Sequence, residues 1–383
     1  MDAGSVARAY AYFSAESLRY VTALSQLRIC FLAGTLGQGG AERQLFYSLR
    51  ALRQCGAVPR VLCLAQNEFW EERIRNLGVP VTCVGQMQSK LKRLFRILVE
   101  LRKQPPKIFQ SQHFYTNAYV AAGARALRLC GIGALRCDGL SEVQESGLIG
   151  GWLSLHTPRV IVANSRSAIQ YALGNGVRPD RIHFLPNVVD TTHFCPGSMR
   201  REQGMTLLNA GRLAPQKRVD LFIDLLARIR SKAAAPVRGI IVGDGPLRKS
   251  LEERAAGLGL MPPVLEFRGA VSDLAEVYRQ SDIFVLTSDF EGTPNVLLEA
   301  SGSGLPIVTT RTGDTSNVVR DGETGFLCDC GDVEGLASAV LRLVGDEELR
   351  RRLGAQGRRF VEENHSSLRL AQFLGEFYTK MRS

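Results

Sequence analysis

Residues 27–50 read LRICFLAGTLGQGGAERQLFYSLR, in which an apolar run leads through several glycines into a pattern of helical period. The run predicts a buried strand, and the periodic segment after it predicts an amphipathic helix. Glycines at such a junction let a ligand approach the backbone, and the free N–H groups of the helix start attract an anion. Gly39 and Gly40 are therefore candidate phosphate contacts. A plain turn is the alternative, because the segment has neither the full dinucleotide-binding glycine pattern nor a P-loop lysine.

Strand-like and helix-like segments alternate along the rest of the chain. The strand-like segments include KIFQSQ (107–112), PRVIVANS (158–165) and, at the start of a second series, TLLNAGRL (206–213). This alternation predicts an α/β fold with two doubly wound domains, each a parallel sheet with helices on both faces. We expect an N-terminal extension (1–27), a first domain (28–190), a linker (191–204), a second domain (205–360) and a C-terminal segment (361–383). A ligand is expected in a cleft between the domains.

The composition excludes several classes of protein. Of the 383 residues, 45% are hydrophobic and 22% are charged, which does not fit a disordered chain. No apolar run is long enough for a transmembrane helix, and the first residues lack a signal-peptide pattern, so we expect a cytoplasmic protein. The nine cysteines are scattered, which favours reduced thiols over a zinc site. The net charge of +11 lies entirely in residues 1–195, which indicates an anionic partner for that half.

Two further segments place charged residues where strands end. Arg212 and Lys217 follow the strand TLLNA, and two converging cations there can neutralise a diphosphate. The alternative is a pair of solvated surface charges. Glu291 and Glu299 lie before and within a helix that begins at a Gly-Thr-Pro turn. A carboxylate in that helix can accept hydrogen bonds from ribose hydroxyls, and the helix start can hold phosphate; a capping acid and a paired buried acid are the alternative.

Taken in order, these segments resemble the motifs of the retaining glycosyltransferases of family 4, also described as glycosyl transferases group 1. The segment from Glu291 to Glu299 resembles the E-x7-E motif, and Arg212 with Lys217 resembles the basic pair of that family. The other segments that resemble family motifs are Gly39–Glu42, Leu185–Asp190, Gly243–Leu247, Phe267–Gly269, Gly302–Val308 and Asp321–Phe326. The resemblance covers about residues 28–345. It implies the GT-B fold, with two Rossmann-like domains facing a central cleft and a C-terminal helix that crosses back to the first domain.

The resemblance also implies a role for each matching residue. Arg212 and Lys217 would bind the diphosphate of a nucleoside diphosphate sugar. Glu299 would bind its ribose, and Glu291 would contact hydroxyls of its sugar. His113 would lie near the reacting sugar, with a satisfied core or loop histidine as the alternative. The other implied substrate contacts are Gly292, Thr293, Asn295, Val296 and Leu297 around sugar and phosphate, Arg268 beside the nucleobase, and Gly39 and Gly40 beside the phosphate.

The implied reaction is transfer of a glycosyl group from a nucleoside diphosphate sugar to an acceptor hydroxyl, with retention of configuration and without a metal or other cofactor. UDP is the favoured nucleotide, and the acceptor would be a glycan or a lipid-linked molecule in polysaccharide, lipopolysaccharide or glycolipid assembly. Val188, Asp314 and Asn317 depart from the family pattern, whereas the basic pair and both glutamates are retained. The alternatives are an epimerase or phosphorylase of the same fold, a sugar-binding protein without activity, and an inactive scaffold.

A basic amphipathic segment, SKLKRLFRILVELRK, occupies residues 89–103. The residues expected on one apolar face are Leu91, Leu94, Phe95, Leu98 and Leu101. The cations around that face are Lys90, Lys92, Arg93, Arg96, Arg102 and Lys103. Such a helix can lie on an anionic membrane, which would place the protein peripherally at the inner face; a domain helix with solvated charges is the alternative. Nucleic acid is not expected as a partner, because no binding motif accompanies the charge.

Overall fold

The computed structural model describes residues 19, 22–85, 89–197 and 204–381. These residues form two compact units, the first running up to Asn187 and resuming at Leu368, the second running from Val188 to Ser367. The unit boundary therefore lies three residues before the expected end of the first domain, and the return to the first unit lies seven residues after the expected end of the second. Most of the expected N-terminal extension, and residues 198–203 of the expected linker, lie outside the described residues.

The first unit is built on a seven-stranded parallel sheet with the order β3-β2-β1-β4-β5-β6-β7. Its strands are β1 (Arg28–Ala33), β2 (Val58–Cys63), β3 (Val81–Cys83), β4 (Ile108–Ser111), β5 (Cys130–Leu135), β6 (Val160–Ala163) and β7 (Ile182–Phe184). β1 lies in the middle and pairs with β2 on one side and β4 on the other, and its residues are buried from Ile29 to Ala33. Strands buried on both faces explain the continuous apolar run at the start of residues 27–50.

The helices of the first unit cover both faces of this sheet. They are α1 (Gly40–Gln54), α2 (Glu71–Asn76), α3 (Lys90–Lys103), α4 (Asn117–Leu127), α5 (Leu140–Ser146), α6 (Leu148–His156) and α7 (Arg166–Gly174). Right-handed crossovers place α1 and α2 on one face and α3 to α7 on the other. The last helix of the chain, α15 (Leu370–Lys380), packs against α1, and the Tyr378 hydroxyl donates to Gln110 Oε1 at 2.7 Å.

The second unit is built on a six-stranded parallel sheet with the order β10-β9-β8-β11-β12-β13. Its strands are β8 (Met205–Ala210), β9 (Val237–Val242), β10 (Leu265–Gly269), β11 (Ile283–Leu286), β12 (Ile307–Thr310) and β13 (Gly325–Cys328). Its helices are α8 (Val219–Ile229), α9 (Arg248–Gly257), α10 (Ala275–Arg279), α11 (Asn295–Gly302), α12 (Thr315–Val318), α13 (Val333–Gly345) and α14 (Glu347–Asn364). The Asp332 and Asp346 side chains cap α13 and α14 by accepting the N–H groups of Gly335 and Leu349.

The first part of the expected linker is packed into the second unit instead of connecting two units freely. Thr191 and Phe194 are buried, and the Phe194 ring lies edge-on to Tyr278 with ring centroids 5.9 Å apart. The segment is polar and lacks periodicity, which predicted a linker, but one aromatic residue is enough to anchor it through its large apolar surface.

The apolar residues of helix α3 differ from one another in how deeply they are buried. Ile97 and Leu101 are buried against β1, β2, β4 and α4, whereas Leu91 and Phe95 are exposed. Exposure therefore varies along the predicted apolar face, from Leu91 and Phe95, which are exposed, to Leu101, which is buried. No helix in the described part of the chain has the length and apolar character needed to cross a bilayer.

Candidate functional site

Each sheet has one position where the strand order reverses, and the chain leaves adjacent strands there in opposite directions. In the first unit this position lies between β1 and β4, and in the second between β8 and β11. Ligands of open parallel sheets bind in the crevice at the carboxyl ends of such strands. Gly39 and His113 follow β1 and β4, and Lys217 and Glu291 follow β8 and β11. The sequence-predicted residues therefore occupy the switch point of each unit.

In the second unit, the predicted cation Lys217 and the predicted carboxylate Glu291 form an ion pair. Lys217 ends a single 3₁₀ turn, Pro215–Lys217, and its Nζ contacts Glu291 Oε1. The Ser288 hydroxyl donates to the same oxygen at 2.7 Å. Both partners are largely buried, so water screens the attraction little. Glu291 therefore fixes the position of the ammonium group at this edge of the sheet.

Arg212 lies directly after β8 at the same end of the sheet. Its side chain is exposed and makes no hydrogen bond or ion pair within the described residues. The guanidinium group therefore carries an uncompensated charge at the switch point. A planar group with several N–H donors suits bidentate contact with a phosphate.

Hydrogen bonds join the loops that follow β8, β11 and β12. The Thr287 hydroxyl donates to the Lys217 carbonyl at 3.0 Å, and Asp289 N–H donates to the Gln216 carbonyl at 2.9 Å. The Thr312 hydroxyl donates to the Asp289 carbonyl at 2.6 Å. These contacts hold the backbone on both sides of the Lys217–Glu291 pair, which makes the site a preorganised feature of the second unit.

Gly313 supports the Glu291 backbone from the loop after β12. Its φ of +48° lies in the left-handed region, and a Cβ added there would lie 1.7 Å from the Glu291 carbonyl oxygen. Asp314 N–H, next along the chain, donates to the Gly292 carbonyl at 3.3 Å. A glycine is required because only it combines this conformation with so close an approach.

The turn before α11 supplies the other predicted donor contacts. α11 begins at Asn295 directly after Pro294. Gly292 is buried, as are the side chains of Thr293 and Leu297, and the side chains of Asn295 and Val296 are partly exposed. The buried members can therefore offer mainly backbone groups to a ligand, while the start of the helix is open to one.

Glu299 lies within α11 and is buried. The Tyr278 hydroxyl donates to Glu299 Oε2 at 3.2 Å and also reaches the Val296 carbonyl at 3.3 Å. Tyr278 therefore orients this carboxylate relative to the first turn of the helix. Tyr278 carries no signal in the sequence, because it lies on α10 and no local motif connects it with Glu299.

Arg268 is engaged elsewhere. Its Nε donates to Glu266 Oε1 at 2.9 Å, and another guanidinium nitrogen reaches Gln280 Oε1 at 3.4 Å. The pairing of β10 with β9 shifts between Phe267 and Gly269, so Arg268 occupies an irregular position of the strand. The structure does not bring its guanidinium group to the Lys217–Glu291 pair.

In the first unit, both ring nitrogens of His113 are engaged. Gly34 N–H donates to Nδ1 at 3.0 Å, so Nδ1 carries the lone pair and the ring hydrogen lies on Nε2. Nε2 lies 2.9 Å from Glu42 Oε1, to which it donates. The imidazole is therefore neutral and fixed in one orientation by groups from β1 and α1.

The glycine loop of residues 34–40 makes room for this arrangement. A Cβ added to Gly39 would lie 2.2 Å from Glu42 Oε2, and Gly40 is the first residue of α1. Next to His113, enclosure by neighbours together with the Glu42 and Glu68 carboxylates raises the pKa of Tyr115 to about 12. The segment Gly39–Glu42 contains Glu42 but does not by itself indicate this role. The available signal was its position three residues after Gly39, in the first turn of the helix.

Comparison with known proteins gives a family match for the part of the chain that contains Lys217 and Glu291. Residues 204–346 match the family model described as glycosyl transferases group 1. This part of the chain is therefore similar to that family, in agreement with the resemblance found in the sequence.

Two curated relatives show how far the similarity extends. The chain is 31% identical over 216 residues to N-acetyl-alpha-D-glucosaminyl L-malate synthase of Bacillus anthracis, covering 54% of this chain and 56% of that protein. It is 25% identical over 304 residues to UDP-Gal:alpha-D-GlcNAc-diphosphoundecaprenol alpha-1,3-galactosyltransferase of Escherichia coli, covering 74% of this chain and 78% of that protein. The chain spans about half the length of the curated relatives that it matches first.

The solved structures extend the fold to nearly the whole chain. Anabaena HepE in complex with UDP and glucose has a TM-score of 0.80 at 18% identity, covering 92% of this chain and 99% of that one. TarM superimposes with a TM-score of 0.77 at 12% identity. The predicted GT-B fold of two Rossmann-like domains is therefore confirmed.

Proposed function

We propose that this protein is a retaining glycosyltransferase that moves a sugar from a nucleoside diphosphate sugar to an acceptor hydroxyl. The observation that carries the proposal is the Lys217–Glu291 pair at the switch point of the second unit, together with Arg212, whose side chain has no partner within the described residues. This unit contains the residues that match the group 1 glycosyl transferases. Cations fixed at the carboxyl ends of parallel strands suit an anionic, phosphate-bearing substrate.

In this reaction the cations act on the leaving group. The bond between the anomeric carbon and the β-phosphate oxygen breaks, and negative charge develops on the departing nucleoside diphosphate. Arg212 and Lys217 would stabilise that charge, and the buried Glu291 would keep Lys217 in place while contacting sugar hydroxyls. The acceptor oxygen bonds to the anomeric carbon from the same face, and its proton passes to the departing phosphate oxygen. The configuration is thereby retained.

The donor nucleotide would be held by the start of α11. The N–H groups of Asn295 and Val296 suit phosphate, and the Glu299 carboxylate suits the two ribose hydroxyls. We propose UDP as the nucleotide, supported by the fold shared with HepE, whose structure contains UDP. We also propose that transfer needs no metal ion or other cofactor, because Arg212 and Lys217 supply the positive charge.

The acceptor side is assigned to the first unit. We propose that His113, fixed by Glu42 and Gly34, lies near the reacting sugar as a neutral hydrogen-bonding group. The acceptor would be a glycan or a lipid-linked molecule, as the names of several relatives describe for those proteins. The basic helix α3 would bring the protein to an anionic membrane surface at the cytoplasmic side.

The test combines nucleotide binding with transfer. Wild-type protein is titrated with UDP, GDP and ADP by calorimetry with EDTA present, and transfer from the matching sugar nucleotides is then assayed. Arg212→Ala and Lys217→Ala are expected to lower kcat by about 10²–10³, the usual effect of removing one group that stabilises developing charge. Arg228→Ala is the matched control, because this exposed arginine lies in the same unit and pairs with Glu334.

Three results would contradict the proposal in different parts. Near-normal turnover by both variants would exclude the phosphate role. Activity that EDTA abolishes and Mg²⁺ restores would exclude the metal-independent mechanism. Binding without transfer to any acceptor would favour the inactive scaffold, and conversion of the donor sugar without an acceptor would favour an epimerase.

A further inference from the structure

Helix α6 presents an apolar stripe to the solvent. Leu148, Ile149 and Trp152 are 90%, 79% and 58% exposed, and Leu153 continues the stripe. Positions spaced by one, four and five residues lie on one side of a helix. The other side of the helix is buried at Gly151 and Ser154, and Leu155 near its end is buried as well. A contiguous exposed surface of large apolar side chains marks an interaction site.

Helix α3 carries a second such stripe, bordered by cations. Leu91 and Phe95 are 79% and 65% exposed, and they line a shallow groove of about 570 Å³. Lys92 and Arg96 border the same groove and are themselves exposed. Apolar side chains flanked by exposed cations are typical of helices that lie in a membrane interface.

The two stripes belong to the same face of the first unit. Helix α4 packs against α3 on one side and against α6 on the other. Right-handed crossovers place all three helices on one side of the seven-stranded sheet. Between the stripes, Arg93 reaches the Tyr119 hydroxyl of α4 at 3.4 Å, and Arg125 of α4 is exposed. The face is therefore basic as well as apolar.

We propose that α3 and α6 together dock the first unit onto an anionic lipid bilayer, with α6 inserting its apolar stripe into the interface. The cations of α3 would contact anionic headgroups, and Leu148, Ile149 and Trp152 would enter the boundary of the acyl chains. The charge supports a bilayer over a neutral protein partner, because the whole net charge of +11 lies in residues 1–195. Tryptophan beside aliphatic residues also suits the membrane–water interface. The proposal adds a second, inserting helix to the α3 contact and does not depend on glycosyl transfer.

The test uses the intrinsic fluorescence of the full chain with phosphatidylcholine vesicles that contain or lack phosphatidylglycerol. The chain has two tryptophans, the largely buried Trp70 and the exposed Trp152, so a change on vesicle binding reports Trp152. We expect the Trp152 emission to shift to the blue, and its quenching by acrylamide to decrease, with vesicles that contain phosphatidylglycerol. Neither change is expected with vesicles of phosphatidylcholine only. Leu148→Ser with Ile149→Ser should weaken vesicle affinity about tenfold or more, since each buried CH₂ group contributes to binding. Lys92→Ser with Arg96→Ser should also weaken the affinity for anionic vesicles and make that affinity less dependent on salt concentration.

The matched control is Leu258→Ser with Met261→Ser, which removes two exposed apolar side chains of the second unit. This variant should bind vesicles as the wild type does. Wild-type affinity in the Leu148/Ile149 variant, or unchanged Trp152 emission with anionic vesicles, would overturn the proposal. If the wild type is a dimer that does not bind vesicles, and the Leu148/Ile149 variant is a monomer, the stripe joins two copies of the chain. Vesicle binding requires neither donor nor acceptor, so its loss would leave the proposed transferase activity untouched.

Discussion

At the residue scale, Gly313 links the loop after β12 to the position of Glu291. Gly313→Ala would place a methyl group 1.7 Å from the Glu291 carbonyl oxygen, so the backbone around Glu291 must move. We expect transfer activity to fall about tenfold or more, because small displacements of a preorganised group are costly to catalysis. Destabilisation should be at least about 1–3 kcal/mol, the usual cost of a non-glycine residue forced to positive φ, because the contact with the carbonyl oxygen adds to it. Steady-state kinetics and thermal unfolding measure the two effects.

Gly322→Ala is the control that separates two effects of Gly313→Ala: the clash of the methyl group with the Glu291 carbonyl oxygen, and the strain of a non-glycine residue at positive φ. Gly322 has a φ of +73° with no neighbouring atom within 4 Å of an added Cβ. This variant should lose less stability than Gly313→Ala, because it has the strain without the clash, and it should keep its activity. Equal loss of activity in the two variants would mean that Gly313 acts through general stability and not through Glu291.

Individual residues of the second unit were predictable, but their partnership was not. Lys217 and Glu291 each follow a recognisable strand, and each was identified separately from its own motif. Their ion pair depends on β8 and β11 being neighbours in the sheet, although 74 positions separate the two residues. The same limit explains Ser288 and Tyr278, whose hydroxyl groups support the glutamates from positions that carry no local signal.

At the element scale, the junction of β5 with α5 contains a carboxyl group in an unfavourable environment. Glu142 accepts N–H groups of Arg136 and Cys137, both at 3.0 Å. Loss of hydration nevertheless raises the pKa of Glu142 to about 7, from about 4.5 in an unfolded chain, against the opposing effect of these N–H groups and the Arg136 charge. A raised pKa means that the folded state holds the proton of Glu142 more tightly than the unfolded state does. The free energy of unfolding therefore decreases as pH rises from 4.5 through 7, because the unfolded state loses this proton first.

Glu142→Gln removes this titration. The difference in urea midpoint between Glu142→Gln and wild type should therefore shift in favour of the variant between pH 5 and pH 8. Tryptophan emission is a suitable probe, because Trp70 and Trp152 both lie in the first unit. Glu145→Gln on the exposed side of α5 is the control for loss of charge, and it should show no such shift. A constant difference across this pH range for Glu142→Gln would contradict the prediction.

The helix α3 shows why an element could be predicted while its orientation could not. Its existence follows from the period of its apolar residues, and its bounds of Lys90–Lys103 agree closely with the predicted segment. Its apolar residues are too many for one face, however, and only packing decides which of them are buried. Ile97 and Leu101 meet the sheet, and Leu91 and Phe95 remain outside, where they contribute to the proposed membrane face.

At the scale of the whole molecule, the last helix belongs to the unit in which the chain began. Alternating strands and helices predicted two domains, because each half carries its own complete pattern. The exact boundaries were less predictable, because Thr191 and Phe194 are buried by tertiary contacts, and a polar segment without periodicity does not predict burial. The C-terminal crossing was implied by family resemblance, and α15 does pack against α1 in the first unit.

This arrangement predicts which unit a C-terminal substitution destabilises. Leu374 of α15 is almost fully buried, and Leu374→Ala should cost about 2–5 kcal/mol through lost apolar contact and the cavity that it leaves. Because Leu374 packs in the first unit, the variant should lower the unfolding midpoint reported by tryptophan emission. Leu353→Ala on α14 is the matched control, since Leu353 is fully buried in the core of the second unit, which contains no tryptophan. That control should lower the midpoint seen by far-ultraviolet circular dichroism and leave the tryptophan transition in place. The opposite pattern would show that α15 contributes to the core of the second unit, as its position in the sequence suggests.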